Sequence, residues 1–499
     1  MSISGFGRVI VTLAAVLFAG LGLELWAAPE QAAHRLGLEV IRDGGVAALR
    51  ADLGGLFVGL AVLCAAAAWT KRRPWIVAAT VVLAAVVLGR SVEWISNGSL
   101  GAGLVELALE LTVIAALLAS ARSSRSQATV APRRFLRPTV AASAVFVVAG
   151  AGATAALFNP GVQQTIFDRG AQQVSGTTNT APLADDALRV AVCGSSAPLP
   201  SEHRAKACAA VFAGGKFYVV DSGPESTENL VLWGIPLSSI GGVLLTHFHS
   251  DHIGDLGELH LQTWAGGRPA PLAVYGGPGI EQVVDGFNQA YRMDQGYRTE
   301  HHTDRVMPAA TWGMVAHRVE LDGEATAAKS RTGLVLDEGN LRVTAIEVDH
   351  APIVPAYAYR FDYKGRSVVI TGDLKYHPPL AKAARGVDVL MSEAIAPSMT
   401  QALGKGAREA GKDRTAAIMH DIEDYHITPE QAAHIANEAQ VKLLAFYHLL
   451  PAPDGFLPRR LFAQGISEAR RGDWTIADDG TVYTLPIGST QIHIGRIDE

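Results

Sequence analysis

Four side chains able to hold a metal or move a proton, His247, His249, Asp251 and His252, fall within six positions of the stretch THFHSDH. The run GGVLL precedes them, so they sit where an apolar strand ends. His247 and His249 alternate and therefore point the same way from an extended loop, while Asp251 and His252 follow as the chain turns into a helix. One pair can serve one cation and the next pair a second. His350 after VTAIEVD, Asp373 after VVITG and His448 after LLAFY stand at further strand ends. Neutral imidazoles with a carboxylate suit zinc first, and also manganese or iron. Two such ions about 3.5–4 Å apart can share a water and lower its pKa toward neutrality, producing a hydroxide that attacks phosphorus, sulfur or carbonyl carbon. Asp251 can orient that nucleophile as well as ligate. A leaving group needs a proton, and His426 is the candidate donor. It precedes Thr428, Pro429 and Gln431, a capping box with proline at the first helical position, so its turn is well fixed.

The elements that must position these groups are short and β-rich. LRVAVCG, KFYVVDSG, GGVLLTH, LAVYGG, LRVTAIEVDH, RSVVITGD and VKLLAFYHL read as strands bounded by Gly, Asp or Pro. IGDLGELHLQTWAG and TPEQAAHIANEAQ read as helices between them, which makes the region α/β with helix-covered sheets. His260 and His434 fall on amphipathic helices as surface or core residues. His301 and His302 are candidates for a pocket rim, and His377 stays open. Residues 282–328, with Tyr291, Arg292, Tyr297 and Arg298, are the longest insertion and a candidate lid. Cys193 and Cys208 end one strand and begin the next, so they are either a disulfide or two buried thiols.

THFHSDH resembles the metallo-β-lactamase superfamily, and the later motifs resemble its ribonuclease Z and arylsulfatase-like branch. Those motifs are VAVCGSSAPLPSEHRAKACAAVFAGGKFYVVDSG, PLAVYGGPGI, VDHAP, ITGD, SEA and HITPEQAAHIANEAQVKLLAFYHL, in order over about 300 residues. The resemblance implies a four-layer αββα sandwich over residues 188–499. It implies two divalent ions, one on His247, His249 and His350, the other on Asp251, His252 and His448, with Asp373 bridging. It also gives His426 the proton-donor role, oriented by Glu393.

The front of the chain is different in character. Three cysteines in 499 residues exclude a disulfide scaffold, and a net charge of −6 gives no global basic footprint for nucleic acid. Mean hydropathy is +0.20. Apolar runs at Val9–Trp26, Leu53–Trp69, Trp75–Ile95, Ala102–Ala121 and Pro138–Phe158 each approach the roughly 20 residues a bilayer helix needs. The first can alternatively be a signal peptide. ADLGGLFVGLAVL and VVLGRSVEWISNGS resemble a four-helix bacterial membrane domain of unknown function, which implies an all-α bundle over residues 1–121. Residues 122–158 then hold a cytoplasmic loop and a fifth span, and the polar residues 159–187 read as a linker. TKRRP and the arginines 122, 125, 133, 134 and 137 mark cytoplasmic loops, which leaves everything after Phe158 outside a bacterial inner membrane. Glu24, Arg90, Glu93, Glu106 and Glu110 lie within spans, as snorkelling groups or as a small outer-face site.

The expected function is a membrane-anchored dinuclear metal hydrolase of a small phosphodiester or sulfate ester. In ribonuclease Z a long arm between the third-motif histidine and the bridging aspartate clamps precursor transfer RNA. Here these residues are only 373 − 350 = 23 apart. Nucleic acid is therefore the less expected partner. A nuclease acting on RNA or single-stranded DNA is the first alternative, and a membrane sensor with a metal-binding output domain the second.

Overall fold

The computed structural model describes residues 5–27, 49–97, 112–114, 116–117, 160–176, 178–326 and 329–498. The chain divides into two compact units, Met1–Gln172 and Gln173–Glu499. In the first unit, helices Gly5–Ala27, Gly55–Thr70 and Arg73–Asn97 pack through Val11, Phe18, Leu60, Cys64, Ile76 and Leu83. Their other faces stay apolar: Leu13, Val16 and Val62 are exposed. A helix apolar all round suits a lipid surrounding better than water. Two segments, Arg8–Ala27 and Leu49–Thr70, are long and apolar enough to cross a membrane. The third expected span lies on the helix Arg73–Asn97, of which Arg73–Val87 is apolar. The fourth lies mostly, and the fifth wholly, outside the described residues.

The second unit opens with β1 (Ala187–Gly194), β2 (Cys208–Ala213), β3 (Lys216–Val220), β4 (Ile240–Leu244), β5 (Leu272–Gly276) and β6 (Met314–Arg318). A second set follows: β7 (Thr332–Glu338), β8 (Leu341–Glu347), β9 (Tyr357–Tyr363), β10 (Arg366–Ile370), β11 (Val389–Ile395), β12 (Leu443–Leu450) and β13 (Asp473–Ile476). The chain then returns through β14 (Thr481–Pro486) and β15 (His493–Arg496). The first sheet runs β15-β14-β1-β2-β3-β4-β5-β6 and the second β13-β12-β11-β10-β9-β8-β7.

Period-two alternation explains why these strands make layers. Val190 and Val192 of β1 face Tyr359, Phe361, Val368 and Met391 of the second sheet in one shared core. Ala191 and Cys193 face the other way, with Leu256, Leu259 and Val284 of helices Leu256–Ala265 and Ile280–His302. On the far side, Val369, Leu390 and Leu444 lie under Leu380, Ala432 and Ile435. The result is the expected αββα sandwich. Each fully buried Val, Leu or Phe in these layers contributes roughly 1.5–3 kcal/mol.

Two segments carry more regular structure than expected. The supposed linker contains a helix over Pro160–Gly176, a polar segment whose opening proline suits a first helical turn. The supposed lid is built into the sandwich instead. Its helix Ile280–His302 buries Ile280 and Val284, and Met314–Arg318 is the edge strand of the first sheet.

Cys193 and Cys208 are disulfide-bonded, with Cα atoms 4.9 Å apart. The antiparallel register of β1 and β2 sets Gly194 opposite Cys208, which brings the preceding Cys193 within reach. Thiol counting on denatured, unreduced protein should find one free thiol, Cys64. Reduction should cost about 3 kcal/mol of stability for a loop of this size, read from denaturant midpoints. Three free thiols would contradict the bond.

Candidate metal centre

Strands β3 and β4 run parallel, as do β10, β11 and β12. Their carboxyl ends therefore gather at one rim of the sandwich, the usual place for a ligand site in α/β proteins. Asp221 follows β3, His247 and His249 follow β4, Asp373 follows β10, and Glu393 and His448 lie within β11 and β12. His350 follows β8. Two tyrosines hold the rim closed beneath the site. The Tyr359 hydroxyl donates to the Leu245 carbonyl at 2.8 Å, and the Gly372 N–H donates to the Tyr447 hydroxyl at 3.2 Å.

Local backbone departures aim the side chains. Pairing of β11 with β12 slips between Ser392 and Ala394, so that Tyr447 and His448 together oppose Glu393. Such a bulge re-aims a side chain, and His448 takes a φ of 45° within it. Gly372 has a φ of 58°, and a Cβ there would lie 2.6 Å from Thr246. Glycine is thus required for the chain to bring Asp373 against the loop after β4.

The donor atoms converge on Asp373, which is 2% exposed. Its Oδ2 lies 3.9 Å from Nε2 of both His247 and His350. Its Oδ1 lies 3.3 Å from Nε2 of both His252 and His448. Asp251 Oδ2 stands 3.2 Å from His448 Nε2 and 3.6 Å from His252 Nε2. His247, His249, His350 and Asp373 thus form one donor group, and Asp251, His252 and His448 a second. Asp373, Glu393 and His426 make a third, overlapping group. The structure therefore brings every expected site residue to one rim.

The residues fit cations on a separate observation. His247, His252 and His350 are buried, and their Nε2 atoms have no hydrogen-bond partner, nor has Asp373 Oδ1. Buried polar atoms are rarely left so, unless an ion completes them. The opposite ring nitrogens are all engaged. His252 Nδ1 donates to Asp221 Oδ2 at 2.8 Å, and His350 Nδ1 donates to the Tyr425 carbonyl at 2.8 Å. His247 Nδ1 donates to Thr246 Oγ1 at 3.1 Å, which in turn donates to Asp221 Oδ2 at 2.8 Å. Protons held on Nδ1 leave the Nε2 lone pairs aimed inward.

Asp221 is the functional residue that sequence reasoning missed. It ends KFYVV as Asp373 ends VVITG, so the same strand-end signal was available. It has a φ of 60° and accepts the Thr246 N–H at 2.8 Å.

Electrostatics agree with a site built for positive charge. Burial pulls His252 down, but Asp373, Asp221 and Asp251 lift it well above its ordinary range. Burial pushes Asp373 up, yet His448 and His252 hold it well below the usual carboxylate range. Burial lowers His247 and takes His350 to about 4, so both are neutral donors.

Beside this cluster, His426 Nδ1 lies 2.9 Å from both oxygens of Glu393. Glu393 also accepts the Leu374 N–H at 2.9 Å and is 0% exposed. The capping box forms as expected: Gln431 N–H donates to Thr428 Oγ1 at 3.3 Å, and Thr428 N–H donates to Gln431 Oε1 at 3.0 Å. Burial lowers the His426 pKa, but the Glu393 charge and hydrogen bond leave it above the ordinary value. Other histidines stay apart. His260 is buried with its ring 4.1 Å from that of Trp312, and burial with Arg268 lowers it to about 3. His434, His301 and His302 are exposed. His377 Nε2 lies 2.8 Å from Ser330 Oγ.

Known proteins resemble part of this chain. The model of a β-lactamase superfamily domain matches residues 218–449. Ribonuclease Z of Mycobacterium avium (strain 104) is 33% identical over 272 residues, covering 53% of this chain and 87% of the relative. Ribonuclease Z of Mycolicibacterium gilvum (strain PYR-GCK) is 32% identical over 267 residues, covering 53% and 85%. Among solved structures, the short form of human tRNase Z is 20% identical with a TM-score of 0.44, covering 60% of this chain and 100% of that one. YhfI, a metallo-β-lactamase fold protein from Bacillus subtilis, is 22% identical with a TM-score of 0.42, covering 60% and 99%. Identical at 33% of 272 aligned residues that span 87% of a ribonuclease Z, the chain belongs to the ribonuclease Z family of metallo-β-lactamase-fold hydrolases, metal-dependent enzymes that act on ester bonds.

Proposed function

We propose that this chain is a two-metal phosphodiester hydrolase that cuts RNA and is held at a membrane by its N-terminal apolar helices. One observation carries the chemistry: each oxygen of Asp373 faces a different imidazole pair, at 3.9 Å and at 3.3 Å. His247, His249 and His350 with Asp373 would hold one ion, and Asp251, His252 and His448 with Asp373 the other. When bound, such a pair supplies Lewis-acid charge at the phosphate and a water acidic enough to attack at neutral pH. Asp251 orients that water. His426, steadied by both oxygens of Glu393, gives its proton to the departing oxygen.

The substrate class departs from the expectation of a small ester. Ribonuclease Z relatives aligned over 87% of their length support RNA, which the sequence reading had set second. One observation favours the small ester as the second reading. His350 and Asp373 are 23 positions apart (373 − 350), and the hairpin of β9 and β10 lies between them, with no arm. Two segments long and apolar enough to cross a membrane support the tether. The Cys193–Cys208 bond supports a catalytic unit outside the reducing cytosol.

Three outcomes are expected. Elemental analysis should find about two transition metals per chain, and Asp373→Ala should lose metal and activity together. A single ion that persists under metal loading would contradict the pair. In a panel of single-stranded and structured RNA, bis-aryl phosphate, aryl sulfate and cephalosporin, each with zinc and with manganese, RNA should be cut fastest. Turnover of aryl phosphodiester without any RNA cleavage would shift the reading to small esters. His426→Ala should retain metal but slow turnover by about 10²–10⁴ on poor leaving groups, and less on activated aryl esters. Equal loss on both would remove the acid role.

A further inference from the structure

We propose that Tyr425, bedded on the loop Ala197–Leu199, is a stacking subsite for the aromatic base on the leaving-group side of the scissile phosphate. The inference rests on the phosphodiesterase reading above and names where the substrate's next group goes.

Tyr425 is the one aromatic residue, among those described, whose ring meets both a candidate metal-ligand imidazole and the candidate proton donor. Its centroid is 5.3 Å from that of His350, edge-on, and 4.7 Å from that of His426. Its backbone carbonyl is engaged by His350 Nδ1 at 2.8 Å, which fixes the residue beside the site whatever its side chain does. The ring is half-buried. It packs with Leu199 on a cluster of Ala197, Ile395, Met419, Ile422 and Leu450, so it is supported from behind and cannot swing freely.

The chemistry then fixes the geometry. A phosphorus seated against the ions must direct its departing oxygen to His426, since that residue supplies the proton. Whatever is attached to the departing oxygen therefore lies beside His426, where the ring of Tyr425 stands. A neutral, half-exposed ring offers a π-face and an apolar edge with no charge to repel a phosphate neighbour. The group that gains most there is itself flat and aromatic. In RNA this is the base of the nucleotide that keeps the departing oxygen. Stacking of this kind tolerates every base, so the subsite would select for the presence of a base and not for its identity.

The test uses the purified full chain loaded with zinc or manganese. Substrates are an RNA oligonucleotide cut at one position and the same oligonucleotide abasic on the leaving side. The unmodified protein should prefer the base-bearing RNA by about tenfold or more in kcat/KM, in keeping with stacking on one aromatic side chain. Tyr425→Phe should keep that ratio. Tyr425→Leu, which retains apolar bulk on the cluster, should bring it to about one while metal content and melting temperature hold. A ratio that survives Tyr425→Leu, or an abasic RNA cut as fast as the intact one by the unmodified protein, overturns the subsite. If RNA is not cut at all, the RNA reading fails and aryl phosphodiesters decide the subsite separately. Tyr425→Leu should then raise KM for the aryl ester more than it lowers kcat, and an unchanged KM would overturn it.

Discussion

A carboxylate that must stay charged beyond the reach of water governs this rim. Asp373 is 2% exposed and stands among Asp221, Asp251 and Glu393, which are 1%, 6% and 0% exposed. Among the described residues, no lysine or arginine pairs with any of these acids. The groups facing them are imidazoles, and each imidazole can bring at most one proton. Isolated buried charge costs many kcal/mol in a low-dielectric interior, so a set of acids with no lysine or arginine partner must take up positive charge through the imidazoles or from a cation. His252, lifted well above its ordinary range by Asp373, Asp221 and Asp251, shows where that demand is focused. A divalent cation answers the same demand with no proton, and it uses the Nε2 atoms that otherwise lack partners.

The fold can be read as the means of gathering those groups. Strand alternation sends every second residue of β10, β11 and β12 into the core between the sheets, which leaves their ends to carry chemistry. Alternation alone would not seat Glu393 and His448 together. The slip between β11 and β12 does so, and His448 accepts a left-handed backbone to complete it. Asp221 is left-handed as well, at 60°. Non-glycine residues rarely take this conformation, and they keep it where surrounding structure over-determines them. For Asp221 that structure is a set of three hydrogen bonds, from the backbone and hydroxyl of Thr246 and from His252.

How far the sequence could be read depends on the range of each interaction. HFHSDH is local, so its spacing reports its geometry directly. His350, Asp373 and His448 are distant, but the first two follow apolar strands and the third lies near the end of one, and parallel strands put such ends side by side. The capping box at Thr428 is local and was legible for the same reason. Asp221 carried the same strand-end signal, yet its part depends on which histidine lies across from it, a fact of β3–β4 pairing that no single strand records. The bulge at Glu393 was invisible because register belongs to two strands. The segment at Pro160–Gly176 carries Val162, Ile166, Phe167, Ala171 and Val174 at helical spacing, so its helix was legible in the period despite its polar composition. In residues 282–328 charged and aromatic residues are interspersed with the apolar ones, and the buried Ile280 and Val284 bind the helix Ile280–His302 to the outer core.

The disulfide links the compartment of the protein to the shape of its site mouth. Cys193 and Cys208 close the segment that holds Ala197 and Leu199, and these residues bed Tyr425 beside His350 and His426. Arg204, on the same segment, donates to Asp454 at 2.7 Å and to the Ser195 hydroxyl at 2.9 Å, and it also pairs with Asp478. The segment is therefore fastened at its ends by a covalent bond and along its length by a buried guanidinium. A chain without an arm between His350 and Asp373 has no long-range clamp there for its substrate. Under the proposed reading, a mouth held this firmly lets a grip close to the scissile bond be selective, because little ordering is left to be done when the substrate arrives.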